Sequence, residues 1–271
     1  MPRAVATMLS AFPEVRFRAL DGHAELAVAE AVASSGSRPA RVTGIIAAMC
    51  EEVAGEPADA ATVRRISAAG REWLLQRSAL RFLGGGDWFE ARCEACGAHF
   101  DLRMSLTDVP HAAPGPGYPV AEVDTSLGRR QFEAPNGGHE EAFARHHDED
   151  PRRVFAALCG LSERAEAEAI RFDAHDLARI DAAIEAVSPE IADSVDATCL
   201  ECGTAAKARI DPLGFAFPSA SEVFREVHSI ASAYHWSETS ILRLSQARRR
   251  TYADLIRAER GGQAPQRRRL S

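Results

Sequence analysis

Two Cys-x-x-Cys-Gly motifs constrain the fold of this chain more than any other feature of its sequence. The first, CEACG, occupies residues 93–97, and the second, CLECG, occupies residues 199–203. Short segments that resemble extended strands flank each motif, such as WFEAR before the first and HFDLR after it. This layout predicts two β-hairpins, each closed by a tight knuckle that carries two thiols. It is the only internal repeat that we find.

The thiols of both knuckles are predicted to bind one metal ion, with the ligands Cys93, Cys96, Cys199 and Cys202. Thiolates are soft ligands that suit tetrahedral zinc, at a Zn–S distance of about 2.3 Å. Gly97 and Gly203 allow the backbone to turn tightly, so that amides can point back at sulfur. Four thiolates leave no open position for water. We therefore predict a structural zinc ion that contributes directly to folding.

Two other interpretations of the cysteines are open at this point. The pairs can be unrelated surface thiols, or one pair can be a thioredoxin-like redox site. Neither explains why both pairs end in glycine between extended segments. His99, three residues after Cys96, can also replace a cysteine as a ligand, but a histidine at this spacing is more often a neighbour of the site.

Composition and charge limit the classes of protein to consider. The chain has 271 residues, is 46% hydrophobic and 26% charged, and carries a net charge of −7. These values are typical of a globular protein. No apolar run is long enough to cross a bilayer, and the first residues lack a secretory signal, so we expect a cytosolic protein. An acidic body repels phosphate backbones, which disfavours a nucleic-acid partner except through the arginine-rich residues 240–271.

The periodicity of apolar residues predicts an α+β fold that is mostly helical. Residues 1–83 form an N-terminal helical region in which 21–36, 40–55 and 68–82 are helices. The knuckle unit is discontinuous, with one hairpin in 84–110 and its partner in 195–212, which is a zinc-ribbon-like arrangement. Between them, 111–194 is a Pro/Gly loop followed by a helical insertion. A C-terminal helical region follows in 213–260, and 261–271 is a disordered tail.

The remaining reactive side chains predict no catalytic site. Cys50 and Cys159 lie in apolar helical patterns and are interpreted as small buried hydrophobes. The run from His146 to Asp150 has metal-binding residue types, but consecutive helical residues point in different directions, so we interpret it as a solvated helix boundary. No Ser-His-Asp set, P-loop or dinucleotide fingerprint can be assembled, and Gly84 to Gly86 are interpreted as a turn. We predict that the protein is not an enzyme.

The C-terminal region has a pattern with two interpretations. A helix from Ser219 to about Tyr234 begins with a capping box and is followed by His235, Trp236 and a further short helix. The last helix carries arginines at 248–250 together with three residues predicted to face inward, Tyr252, Leu255 and Ile256. This pattern is typical of a helix-turn-helix with a basic recognition helix, but a packed helical end with a solvated basic face also accounts for it.

Taken together, these motifs resemble a known family. The two knuckles, the preceding segment REWLLQRSALRFLGGGDWFEA and the ending FREVHSIASAYHWSETSILRLSQARRRTYADLI are similar to those of baseplate assembly proteins from contractile-tailed phages and phage-tail-like injection systems. The similarity includes an aromatic-Trp-Ser turn and an Arg-Arg-x-x-Tyr helix, here Trp236, Ser237, Arg248, Arg249 and Tyr252. It covers roughly residues 60–258, and Glu94 and Leu200 stand where many such knuckles carry proline.

The resemblance implies a non-enzymatic role in building the baseplate hub, as a chaperone for another subunit or as a minor structural part. Hub proteins are then the expected partners, with no small-molecule substrate. The residues predicted to bind them are Tyr234, His235, Trp236, Arg248 and Arg249, with Trp236 as anchor because an exposed tryptophan supplies a large contact area. The alternative function is a zinc-ribbon nucleic-acid-binding regulator that uses the arginine-rich last helix.

Overall fold

The computed structural model describes residues 2–83, 88–147 and 149–259. The predictions for Gly84 to Gly86, for Asp148 and for the tail at 261–271 lie outside the described residues. The described chain combines eleven α-helices with small antiparallel sheets, which confirms the α+β class. None of its helices is long and apolar enough to cross a membrane.

The N-terminal region packs four helices against a three-stranded sheet. Its elements are β1 (Val15–Phe17), α1 (Gly22–Ala33), α2 (Arg38–Met49), β2 (Cys50–Val53), β3 (Glu56–Pro57), α3 (Ala60–Arg64) and α4 (Ala68–Leu83). Asp21 caps α1 by accepting a hydrogen bond from the backbone of Ala24, which satisfies one free amide of the first turn. α2 and α4 contribute to the same apolar core through Ile45, Ile46, Leu74 and Leu75.

The prediction of one helix over residues 40–55 is wrong from Cys50 onward. Helix α2 ends at Met49, and the chain continues directly as β2, which pairs with β1 on one side and β3 on the other. Gly55 has a φ of +78° and lies in the β2–β3 turn instead of ending a helix. The strand forms because its ends, Cys50 and Val53, are buried in the N-terminal core. This is a tertiary effect that the periodicity of the sequence does not indicate.

The first knuckle hairpin and the insertion follow α4. The elements are β4 (Trp88–Arg92), β5 (His99–Arg103), β6 (His111–Ala112), β7 (Val120–Thr125), β8 (Gly128–Glu133), α5 (Gly137–Phe143), α6 (Pro151–Cys159), α7 (Ala165–Arg171), α8 (Ala174–Val187) and β9 (Glu190–Ile191). The predicted apolar face of α8 is buried against the β7–β8 hairpin. That hairpin and the helix α5 were not predicted.

The chain then forms the second knuckle hairpin and the C-terminal helices. These elements are β10 (Ser194–Thr198), β11 (Ala205–Arg209), α9 (Ala220–Tyr234), α10 (Glu238–Leu242) and α11 (Gln246–Glu259). The predicted capping box of α9 is present, since the Ser219 side chain accepts from the backbone of Glu222 while the Glu222 side chain accepts from Ser219. Val223, Val227 and Ile230 bury the inner face of α9 against α10 and α11.

Candidate metal centre

The first knuckle is built from hydrogen bonds that close the end of the β4–β5 hairpin. The backbone N–H of Cys93 donates to the carbonyl of Ala98 at 2.8 Å, and the N–H of Gly97 donates back to the carbonyl of Cys93 at 2.8 Å. Gly97 has a φ of +75°, a left-handed conformation that glycine adopts without strain. These bonds turn the chain so that Cys93 and Cys96 both point toward the tip of the second hairpin.

The second knuckle repeats this construction at the end of the β10–β11 hairpin. The N–H of Cys199 donates to the carbonyl of Thr204 at 3.0 Å, and the N–H of Gly203 donates to the carbonyl of Cys199 at 2.9 Å. Gly203 has a φ of +69°. The sequence repeat therefore corresponds to two hairpins with the same turn.

The four predicted thiols converge on one point. The Sγ atoms of Cys93 and Cys202 lie 3.7 Å apart, and those of Cys96 and Cys199 lie 3.8 Å apart. All four sulfurs lie within 4.8 Å of one another. Four thiolates at about 2.3 Å from a tetrahedral ion are separated by about 3.8 Å, so this cluster has the size of a metal site. The four cysteines lie close together and could hold a metal ion.

The four thiols influence one another's ionisation. Hydrogen bonds from the side chain and backbone of Thr204 lower the pKa of Cys202 to about 6. The backbone of Ala98 lowers the pKa of Cys96, but hydrogen bonds with the neighbouring thiols, Cys202 first, and burial outweigh it and raise that pKa to about 12. Four thiols this close cannot all ionise unaided, because each thiolate opposes the next. A divalent cation at their centre removes that repulsion.

The site lies at the tip of a very small apolar cluster between the hairpins. Cys93, Phe100 and Cys199 are its buried members, and Cys96 and Cys202 are exposed. His99 is exposed and its Nδ1 lies 2.9 Å from a carboxylate oxygen of Glu90, so it contacts that side chain instead of joining the thiols. A donor set of four sulfurs is complete for a tetrahedral ion and leaves no position for a substrate.

The residues predicted to bind a partner are partly brought together at the end of α9. The rings of Tyr234, Trp236 and Tyr252 pack against one another, with centroid distances of 5.2 to 5.7 Å. Tyr234 is 37% exposed and Trp236 is 39% exposed. His235 lies between them with a φ of +56° and ends the helix. We call the three rings the aromatic cluster. Tyr252, predicted to face inward, is partly buried against the C-terminal apolar core and also forms one side of this cluster.

Arg249 lies in the interior, not on the surface predicted for it. Its side chain is 0% exposed and donates to Glu25 at 2.6 Å and to Glu226 at 2.8 Å. Burial lowers the pKa of Arg249, but the hydrogen bonds to both glutamates outweigh it and raise that pKa. Arg249 therefore ties α11 to α1 and α9 and is not available to a partner, whereas Arg248 is exposed.

Two further predictions for the last helix differ in outcome. Ile256 is buried as predicted, but Leu255 is 50% exposed, because it lies beside Ile256 on the outer side of α11. The α10–α11 pair has the order of a helix-turn-helix. With Arg249 buried, the basic surface of α11 is smaller than its sequence indicates, which weakens the alternative of a recognition helix.

The structure contains a cluster of reactive residues that sequence reasoning missed. The Sγ of Cys159 lies 3.9 Å from Nδ1 of His139, whose Nε2 lies 3.3 Å from a carboxylate oxygen of Glu133. The order of these three side chains resembles the nucleophile, base and acid of a catalytic triad. However, Cys159 is fully buried and burial raises its pKa, so the thiol is neither accessible nor ionised. Cys50 is likewise buried, which confirms the prediction that both cysteines are internal.

Comparison of the chain with protein-family models, with curated proteins and with solved structures gives no match. The features that indicate a function are therefore the thiol cluster, the C-terminal helices and the sequence motifs themselves.

Proposed function

We propose that this chain is a non-enzymatic, zinc-binding assembly protein of the cytosol. In this proposal, zinc joins the two knuckle hairpins into a discontinuous zinc-ribbon-like unit, and the C-terminal helices bind another protein. The observation that carries the proposal is the convergence of four sulfurs, from hairpins far apart in sequence, to within 4.8 Å of one another. A closed four-thiolate site organises structure and does not react with substrates.

We further propose that the partner is a component of the baseplate hub of a contractile phage tail or of a phage-tail-like injection system. The support is that both knuckles, and the aromatic-Trp-Ser turn at Trp236 and Ser237, resemble those of baseplate assembly proteins. In this role the chain is a chaperone of a hub subunit or a minor structural part of the particle. A hub gene beside the gene for this chain would add independent support.

The aromatic cluster is the surface that we propose for this contact. Trp236 supplies a large area that is half exposed and is held in place by Tyr234 and Tyr252, so little side-chain entropy is lost on binding. His235 lies between Tyr234 and Trp236 in sequence, and Arg248 precedes Tyr252 by one turn of α11; both are exposed and supply polar contacts at the rim. Arg249 belongs to the buried support of this surface and not to the contact itself.

The experiment that tests this function is co-purification of the tagged chain with hub subunits expressed together with it. The variant Trp236→Ala should lower recovery of the hub subunit several-fold while bound zinc and the melting temperature stay close to wild type. Trp88→Ala is the matched control, because Trp88 is an exposed tryptophan outside the C-terminal helices. Equal recovery with Trp236→Ala would remove the aromatic cluster from the interface.

A further inference from the structure

A groove between the two knuckle hairpins runs along strand edges. It has a volume of about 730 Å³ and is lined by consecutive residues of β4, from Phe89 to Arg92, and of β11, from Lys207 to Arg209. Successive side chains of a strand point to opposite faces of its sheet. A groove lined by consecutive residues therefore faces the edge of each strand and not one of its flat faces.

The edge of β11 that lines this groove is unpaired. The N–H of Cys199 donates to Thr204, and the N–H of Ile210 donates to Asp193 at 2.7 Å, so both ends of the β10–β11 hairpin are hydrogen-bonded pairs. Hydrogen-bonded and non-hydrogen-bonded pairs alternate in an antiparallel ladder. From the register, Lys207 and Arg209 are then non-hydrogen-bonded positions.

The backbone N–H and C=O groups of these two residues consequently point away from β10. Within the described residues they form no backbone hydrogen bond outside the hairpin, and β10–β11 is a sheet of two strands only. The same reasoning from the bond between Cys93 and Ala98 places the free groups of β4 at Glu90 and Arg92. An unpaired edge of this kind is a template for another strand.

The floor and the rim of the groove indicate the chemistry of that strand. Leu102, Met104, Leu106 and Phe215 form an apolar floor that can cover alternate side chains of an extended segment. On the rim, Asp211 is paired with Arg38, whereas Glu90 contacts His99, which carries a charge only when it is protonated.

The basic groups of the rim are available. Arg92, Lys207 and Arg209 are exposed and form no ion pair with any residue in the described part of the chain. Glu90 and Glu94 are the acidic side chains of the lining without an arginine or lysine partner in that part of the chain. Three available basic groups thus face two such acidic groups, and both basic groups of β11 lie beside its free edge, which complements an acidic segment.

We propose that the free edge of β11 binds an extended acidic segment of a partner protein by β-strand addition, with alternate apolar side chains on the groove floor. The backbone of Lys207 and Arg209 supplies the hydrogen bonds, and their side chains with Arg92 select carboxylates. This surface is separate from the aromatic cluster and does not depend on the baseplate assignment. It requires the hairpins to be held together, as the proposed zinc ion does.

The test uses the full, zinc-loaded chain and short synthetic peptides labelled with a fluorophore. One peptide alternates valine with glutamate, a second replaces each glutamate with lysine, and a third is the acidic peptide with N-methyl groups along one edge. Fluorescence anisotropy should show the acidic peptide binding at least about tenfold more tightly than the other two, with affinity that falls as salt rises. Equal binding of the three, or no binding of the acidic peptide, would overturn the proposal.

Charge-reversal variants test the contribution of the basic side chains separately from that of the backbone at the strand edge. Lys207→Glu with Arg209→Glu should weaken binding of the acidic peptide about tenfold and improve binding of the lysine peptide. Arg171→Glu, one such charge reversal at an exposed position on α7, should do neither. Bound zinc measured on each variant shows that the hairpins remain assembled. In the wild-type chain, hydrogen exchange of the Lys207 and Arg209 amides should slow on peptide binding.

Two further results would contradict this mode of binding. If the acidic peptide binds without slowing exchange of those amides, the side chains alone attract it and strand addition is wrong. If the chain without peptide forms dimers that Lys207→Glu with Arg209→Glu abolishes, the occupant of the edge is a second copy and not an acidic partner segment. Because zinc content and hub co-purification are measured separately, either failure is distinguishable from failure of the proposed function.

Discussion

The knuckle hairpins and the C-terminal helices are stabilised in different ways. The hairpins are two separate two-stranded sheets whose shared tip buries only Cys93, Phe100 and Cys199. The hairpins also contribute Phe89 and Ile210 to an apolar cluster with Ala79 of α4. A two-stranded hairpin is marginal in water by itself, so we expect a bound ion to hold the two tips together. The helices α9 to α11 have their own apolar core and a buried ion pair at Arg249. We therefore expect metal to stabilise the first region and to have little effect on the second.

Loss of a metal ligand is the largest expected effect. Cys199→Ser removes a buried thiolate, and the binding free energy of a structural zinc is on the order of 10 kcal/mol. We expect bound metal to be lost and hydrogen exchange to become fast across β4–β5 and β10–β11, while α9 and α11 stay protected. Cys159→Ala is the matched control, since it removes a buried thiol that is not a ligand and should keep the metal. Uniform loss of protection would show that the two regions are one unit.

Removal of the buried arginine tests the helical region. Arg249→Ala leaves the carboxylate of Glu25, which is 2% exposed, buried without its partner, and such changes cost about 3 to 5 kcal/mol. We expect a lower unfolding free energy in denaturant with bound metal unchanged. Arg248→Ala is exposed and should stay within about 0.5 kcal/mol of wild type. A large effect of Arg248→Ala would reverse the assignment of the two arginines.

Acid should act on the insertion and on the knuckle hairpins through different groups. Glu133 is buried and accepts hydrogen bonds from the backbone of Ala6 and Thr7. Burial raises its pKa, but the bonds from His139 and Thr7 outweigh this and lower it below 4.5. A lowered folded-state pKa means that this stability is present above pH 4.5 and is lost as the pH falls through the folded value.

Glu133→Gln should therefore cost about 2 kcal/mol near neutral pH and flatten the fall in melting temperature on acidification. Release of metal should be unchanged in this variant, because it follows protonation of the thiolates. Melting curves and metal content measured across the same pH series compare the two processes. If the melting temperature of Glu133→Gln falls on acidification as steeply as that of the wild type, Glu133 does not contribute to the acid sensitivity.

The knuckle glycines give the smallest effect. Gly203→Ala places a side chain at a φ of +69°, where nothing lies within 4 Å of the added carbon, so backbone strain of about 1 kcal/mol is the whole cost. Gly214→Ala is the control, because that position is equally open and has no left-handed φ. Metal affinity should fall about fivefold for Gly203→Ala and stay unchanged for Gly214→Ala. Equal affinities would show that the turn tolerates alanine.

Local patterns predicted the parts of the fold that local chemistry determines. The helix α4, the helix α8 with its apolar face and the capping box at Ser219 follow from spacing alone. The two knuckles were also predictable, because a Cys-x-x-Cys-Gly turn has few geometries. That the thiols of both knuckles lie together is the one distant contact that the sequence indicated.

The rest of the fold depends on distant partners that periodicity does not reveal. β2 becomes a strand because β1, some thirty residues earlier, lies beside it. Arg249 was assigned to the surface because its neighbours are arginines, and only the position of Glu25 on α1 explains its burial. The cluster of Cys159, His139 and Glu133 likewise joins three elements of the insertion, and no spacing in the sequence indicates it.

The most direct test of this account is the metal content of the reduced, purified chain, together with replacement of the native metal by cobalt. We predict one bound ion per chain and a cobalt spectrum with the strong thiolate charge-transfer bands of a four-sulfur site, weakened in Cys199→Ser. We also predict a lower melting temperature in strong chelator. A reduced chain that contains no stoichiometric metal and melts at the same temperature with and without chelator would contradict the account.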